Sequence, residues 1–162
     1  MDFSYQRIIK SDTAVIGVEG VGAIETSQDW VQSLWFSLEE QLPAVIEKLA
    51  VSEAEVACWG VMSDVKEWLA PWTEGQGLYL AGIEVSLETP CPRGWNRYLL
   101  PAMEYIVIRT TIPLISEAVS YLFETIVPKE AVEIIGALQE FYGADFLPGE
   151  IALYAPIRII EL

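Results

Sequence analysis

The chain has 162 residues, enough for one domain with a full core or for two small fused units. Twenty-four acidic residues face nine basic ones, a formal net charge of −15. Binding along a phosphate backbone needs Lys and Arg to displace counterions, so direct nucleic-acid binding is not expected, nor is attraction to an anionic membrane. No uncharged stretch is longer than Gly75 to Ile83, too short to span a bilayer, and Met1 to Ser4 lack the basic start of a secretory signal. There is no histidine, which excludes Ser-His-Asp and Cys-His catalysis and histidine-ligated zinc within the chain. No metal or other cofactor is expected. Cys58 and Cys91 have no CxxC partner and fit free thiols of a reducing cytoplasm.

Asp12 to Gly20 reads as the first strand, with Gly17, Gly20 and Gly22 as strand-end and turn residues. Their GxxGxG order is not a dinucleotide fingerprint. Thr26 to Ala50 reads as a helix, capped by Thr26 or Ser27. Val31, Leu34, Trp35, Leu38, Leu42, Val45, Ile46 and Leu49 make one apolar stripe. Pro43 should kink this helix or begin a second one. Val56 to Met62 reads as a strand, Ser63 to Trp72 as a loop, and Leu78 to Leu87 as a strand. Pro90, Pro92 and Gly94 mark Glu88 to Pro101 as a linker.

Beyond the linker the order repeats. Glu104 to Ile112 is a β-branched strand. Pro113 opens a helix whose stripe runs from Ile115 to Ile126, and Pro128 ends it. Lys129 to Gly136 adds a short helical turn. Leu138 to Tyr142 and Glu150 to Ile160 read as strands, with Pro156 placing the last at an edge or a bulge. Strand–helix–strand–strand thus occurs twice, over about 12–87 and 102–160. The fold class is α+β with pseudo-two-fold symmetry, the whole chain forming one domain with a groove between its halves.

The chemistry-bearing residues are aromatic and acidic. Six tryptophans, seven tyrosines and five phenylalanines are present. Trp35 lies on the helix stripe as a core residue, and Trp30 beside it could cover a groove rim. Trp68 and Trp72 fall in the loop, which either folds over the groove or packs on a cluster of its own. Glu140 stands between Leu138 and Tyr142, beside Phe141. Among aromatic rings its carboxylate would be desolvated and would gain from a cation, or serve as a general base; on an open edge strand it would sit in water. Glu84 and Glu104 are weaker cases.

Leu80-Ala81-Gly82-Ile83-Glu84-Val85, Pro101-Ala102-Met103-Glu104-Tyr105-Ile106-Val107, Glu140-Phe141-Tyr142-Gly143 and the closing Ile151 to Ile157 carry a resemblance. In order and content they resemble the GyrI-like small-molecule-binding domains, the effector-binding domains of AraC- and MerR-type multidrug regulators. Met103, Glu104 and the aromatic spacing at Phe141 and Tyr142 depart from the family pattern. The resemblance implies a groove between the repeats that takes amphipathic, often cationic or aromatic compounds, with Glu140 facing it. Tyr142, Tyr105, Tyr79, Trp59 and Trp68 are the candidate walls, assigned from strand position. A stand-alone binding domain is the leading expectation, since a first strand so near Met1 leaves no room for a helix-turn-helix module. Two alternatives follow from the same resemblance. One is a hydrolase of cyclopropane-containing toxins using a groove glutamate. The other is an acidic module that binds a protein partner.

Overall fold

The computed structural model describes residues 1–161. Its strands are β1 (Tyr5–Lys10), β2 (Thr13–Ala23), β3 (Cys58–Asp64), β4 (Gln76–Val85), β5 (Asn96–Leu100), β6 (Met103–Thr111), β7 (Gln139–Tyr142) and β8 (Glu150–Ile159). All eight join one antiparallel sheet in the order β1-β6-β8-β7-β3-β4-β2-β5. Read outward from the β7–β3 seam, each half repeats the other, which is the expected pseudo-symmetry. The two halves are one continuous sheet rather than two sheets apart.

The outermost strands are exchanged. β1 precedes β2 in the chain but pairs with β6, and β5 precedes β6 but pairs with β2. Neither strand was expected from the sequence. β1 is short and half polar, and β5 lies inside what reads as a Pro/Gly linker. Each is an extended segment because a partner strand offers it a ladder, a tertiary effect that local composition does not report.

The helices cover one face. α1 (Ser27–Leu49) runs unbroken through Pro43, whose ring is on the exposed side, and its stripe packs on Ile16, Tyr79, Ala81 and Ile83. No side chain caps its start: Thr26 bonds back to the Ala23 carbonyl instead. Gly20 and Gly22 are not strand-end residues but lie within β2, where Leu34 and Trp30 of α1 rest directly on them. α2 (Ile115–Tyr121) passes through a π turn (Leu122–Ile126) into α3 (Val127–Glu130). Pro128 stands in the first turn of α3 and does not end the helical run. Ala118, Leu122 and Ile126 bury against Ile106, Ile108, Ile151 and Leu153.

The other face curls inward on itself. Val15, Trp59, Val61, Tyr98, Leu100, Tyr105 and Tyr154 form its core, drawn from strands of both halves. The curl brings Lys10 of β1 to 3.0 Å from Glu84 of β4. β8 is an interior strand, and Pro156 is accommodated by a bulge opposite Glu104/Tyr105. No described helix is long and apolar enough to cross a membrane.

Candidate functional site: a carboxylate at the seam

The two halves meet through three residue pairs, Cys58↔Tyr142, Trp59↔Phe141 and Gly60↔Glu140. Side chains alternate along a strand, so Cys58, Gly60, Glu140 and Tyr142 face the helices while Trp59 and Phe141 face the inner core. Tyr79 of β4 leans across β3 on the helix side. Its hydroxyl donates a short hydrogen bond to Glu140 Oε1. Gly60 is what lets the ring cross: a Cβ there would collide with both the Tyr79 hydroxyl and the carboxylate.

The rings of the site are held by their own polar ends. Trp35 Nε1 of α1 donates to the Tyr79 hydroxyl at 3.1 Å, and its ring meets Tyr142 edge-on at 5.3 Å. Trp72 Nε1 donates to the carbonyls of Ser63 and Leu78, which presses its ring onto Gly77. Trp72 then lies 6.4 Å from Tyr79 and 5.7 Å from Trp30. The loop that carries Trp72 is tied down behind it. Buried Ser63 Oγ accepts from the Leu69 amide at 2.7 Å, and the Ala137 amide donates to the Leu69 carbonyl at 2.8 Å. Leu69 adopts a left-handed backbone (φ 62°) to make this turn.

Between this loop and α2 lies a cleft of roughly 440 Å³ with Glu140 in its floor. Met62, Trp72, Val119, Leu138 and Leu153 give it apolar walls, and Phe123, from the π turn, stands half exposed at its mouth. Glu140 is half-buried and makes no ion pair among the described residues. Burial raises its carboxyl above the ordinary range, and the Tyr79 hydrogen bond opposes that rise only in part. Tyr79 is pushed well up, first by burial and then by the Glu140 charge, so it stays a donor. Tyr142 is raised too, chiefly by burial. No group of three or more His, Cys, Asp or Glu placed to hold a metal occurs among the described residues.

Of the six candidate residues, Glu140, Tyr142 and Tyr79 come together here. Trp59 and Tyr105 point to the inner face. Trp59 packs edge-on against Phe141 and Tyr154 and donates to Glu84 at 2.9 Å, and Tyr105 lies 5.2 Å from Tyr154. Trp68 stands half exposed against Tyr98, away from the cleft, so the loop splits its two tryptophans. Glu84 is paired with Lys10, and Glu104 with Arg7 and Arg158. Trp35, Trp72, Gly60 and Met62 are the site residues that strand position alone did not pick out. Once Gly60 is set opposite Glu140, parity alone would have found Gly60 and Met62.

No family model matches the chain, and no curated protein matches it. Solved structures do. SAV2435 bound to tetraphenylphosphonium superposes with a TM-score of 0.65 at 13% identity, over 96% of this chain and 94% of that one. The EcmrR C-terminal domain gives 0.55 at 11% identity, over 99% and 100%. The integron cassette protein VCH_CASS2 of Vibrio cholerae gives 0.55 at 10% identity, over 95% and 95%. The chain therefore has the α+β fold of the GyrI-like effector-binding domains, end to end.

Proposed function

We propose that the cleft binds an amphipathic, positively charged small molecule, with the rings of Trp72 and Phe123 against its body and Glu140 as counter-charge. The observation that supports this reading is a half-buried carboxylate with no cation of its own, set in the floor of an apolar, aromatic-flanked cleft. Such a group is stabilised by any ligand that brings a positive charge without water. The net charge of −15 adds a long-range pull on cations. The fold shared with a protein solved with tetraphenylphosphonium is consistent with the same chemistry.

Titration with tetraphenylphosphonium, followed by quenching of Trp72, should saturate at one equivalent. Glu140→Gln should weaken it by about tenfold or more. An unchanged affinity in that variant would remove Glu140 from the site. A hydrolytic role is the second reading, favoured by a carboxyl raised by burial and hydrogen-bonded to a phenol. Mass spectrometry after incubation with a cyclopropane electrophile separates the two, because a binder returns the compound intact. We also place the chain in a reducing, cytoplasmic setting, in keeping with free Cys58 and Cys91.

A further inference from the structure

The side chains of the cleft offer very few acceptors to the N–H groups of a ligand. Among the side chains that line it, Glu140 alone carries oxygen; the others are apolar or aromatic. The tryptophan nitrogens are committed, Trp72 to two backbone carbonyls and Trp35 to Tyr79. Tyr79 in turn spends its proton on Glu140 Oε1. One of the few acceptor positions on the carboxylate is thus filled before any ligand arrives. A primary ammonium entering the floor would bring three N–H donors to a carboxylate that already accepts one bond and to side chains that accept none. Donors buried without an acceptor keep the full cost of leaving water. A quaternary ammonium or an arylphosphonium brings the same charge and no donors at all.

We propose that Tyr79, by occupying one acceptor position on Glu140, makes the cleft selective for cations that carry no N–H group over amines of the same shape. This rests on the cation-binding reading above and adds a specificity-determining residue to it. Tyr79 suits the role because it reaches Glu140 from the other half of the molecule, across the gap left by Gly60, and is itself held by Trp35.

The test is a series of 2-naphthylmethyl cations: the primary amine and its mono-, di- and trimethylated forms, titrated at one pH against the wild-type chain and Tyr79→Phe. Wild type should bind the trimethylammonium at least about tenfold tighter than the primary amine, with affinity rising at each N–H removed. In Tyr79→Phe, Oε1 regains that acceptor position and the ratio should fall severalfold, mainly through better amine binding. The methylation series in wild type stands even where the variant does not fold. Equal binding of amine and trimethylammonium by wild type, or a ratio unchanged in a folded Tyr79→Phe, would overturn the inference and leave the cation reading standing. Failure of the whole series and of tetraphenylphosphonium to bind would overturn the cation reading itself.

Discussion

A methyl group on Gly60 would occupy the space in which the Tyr79 hydroxyl meets Glu140. Gly60→Ala should therefore force Tyr79 aside, cost about 1–3 kcal/mol of stability and weaken cation binding by about tenfold, as read by a denaturant melt and a titration. Two carboxylates should respond to pH with opposite signs. Burial raises the Glu140 carboxyl in the folded chain, so its protonated form favours folding. That contribution is complete below the ordinary carboxylate range and is lost as the pH climbs through the raised folded value. Glu140→Gln should accordingly melt higher than wild type at neutral pH and match it at about pH 4 and below. Glu104 is held low, first by its bond from Arg7 and also by Arg158. Its contribution is present above the ordinary range and lost as the pH falls, so Glu104→Gln should melt lower at neutral pH, with the gap closing in acid. At this scale the sequence drew attention to Glu140, because a carboxylate with Phe141 and Tyr142 beside it is visible in one strand and the family resemblance marks that position. Gly60 was invisible as a site residue, because its role depends on Tyr79 and Glu140 of the two flanking strands, β4 and β7.

The elements that build the cleft differ in how far local composition reveals them. The α1 stripe is legible from spacing alone, since a helix buries one face whatever it packs on. The loop between β3 and β4 is not, because its order comes from single hydrogen bonds rather than periodicity. Ser63 is the clearest of these: it is fully buried, its oxygen accepts from Leu69, and its proton goes to the Asp64 carbonyl. Ser63→Ala would leave the Leu69 amide without that partner, at a cost of about 1–3 kcal/mol. Faster hydrogen exchange at Leu69 and Ala70 and a severalfold weaker cation affinity should accompany the loss, because Trp72 is anchored to the Ser63 carbonyl. If exchange rises but affinity does not, the Trp72 wall does not contribute to binding.

At the scale of the molecule, the doubled strand–helix–strand–strand order was readable as two runs of the same apolar pattern. The seam was not, since register between β3 and β7 is settled by which side chains must be buried on the inner face. Trp59, Phe141 and Tyr154 fill that face across the seam, with ring centroids 4.8–5.3 Å apart. This is the physical reason Trp59 lies away from the cleft. Trp59→Ala should destabilise the fold by about 3–5 kcal/mol, whereas Trp35→Phe, half-buried at the helix side, should cost far less while loosening Tyr79. Thermal melts of the two variants beside cation titrations would separate the inner aromatic cluster from the outer one.

The exchanged outer strands bear on how the chain is born. Lys10 pairs with Met103, so a nascent chain emerging N-terminus first carries β1 without its partner until β6 has been synthesised. At ordinary translation speeds that wait is roughly 5–20 s. The first half likewise lacks its rim until Asn96–Leu100 appear to pair with Thr13–Gly17. The first half can therefore close once Leu100 has emerged, whereas the second, which holds β1, must wait for β8 and Ile159.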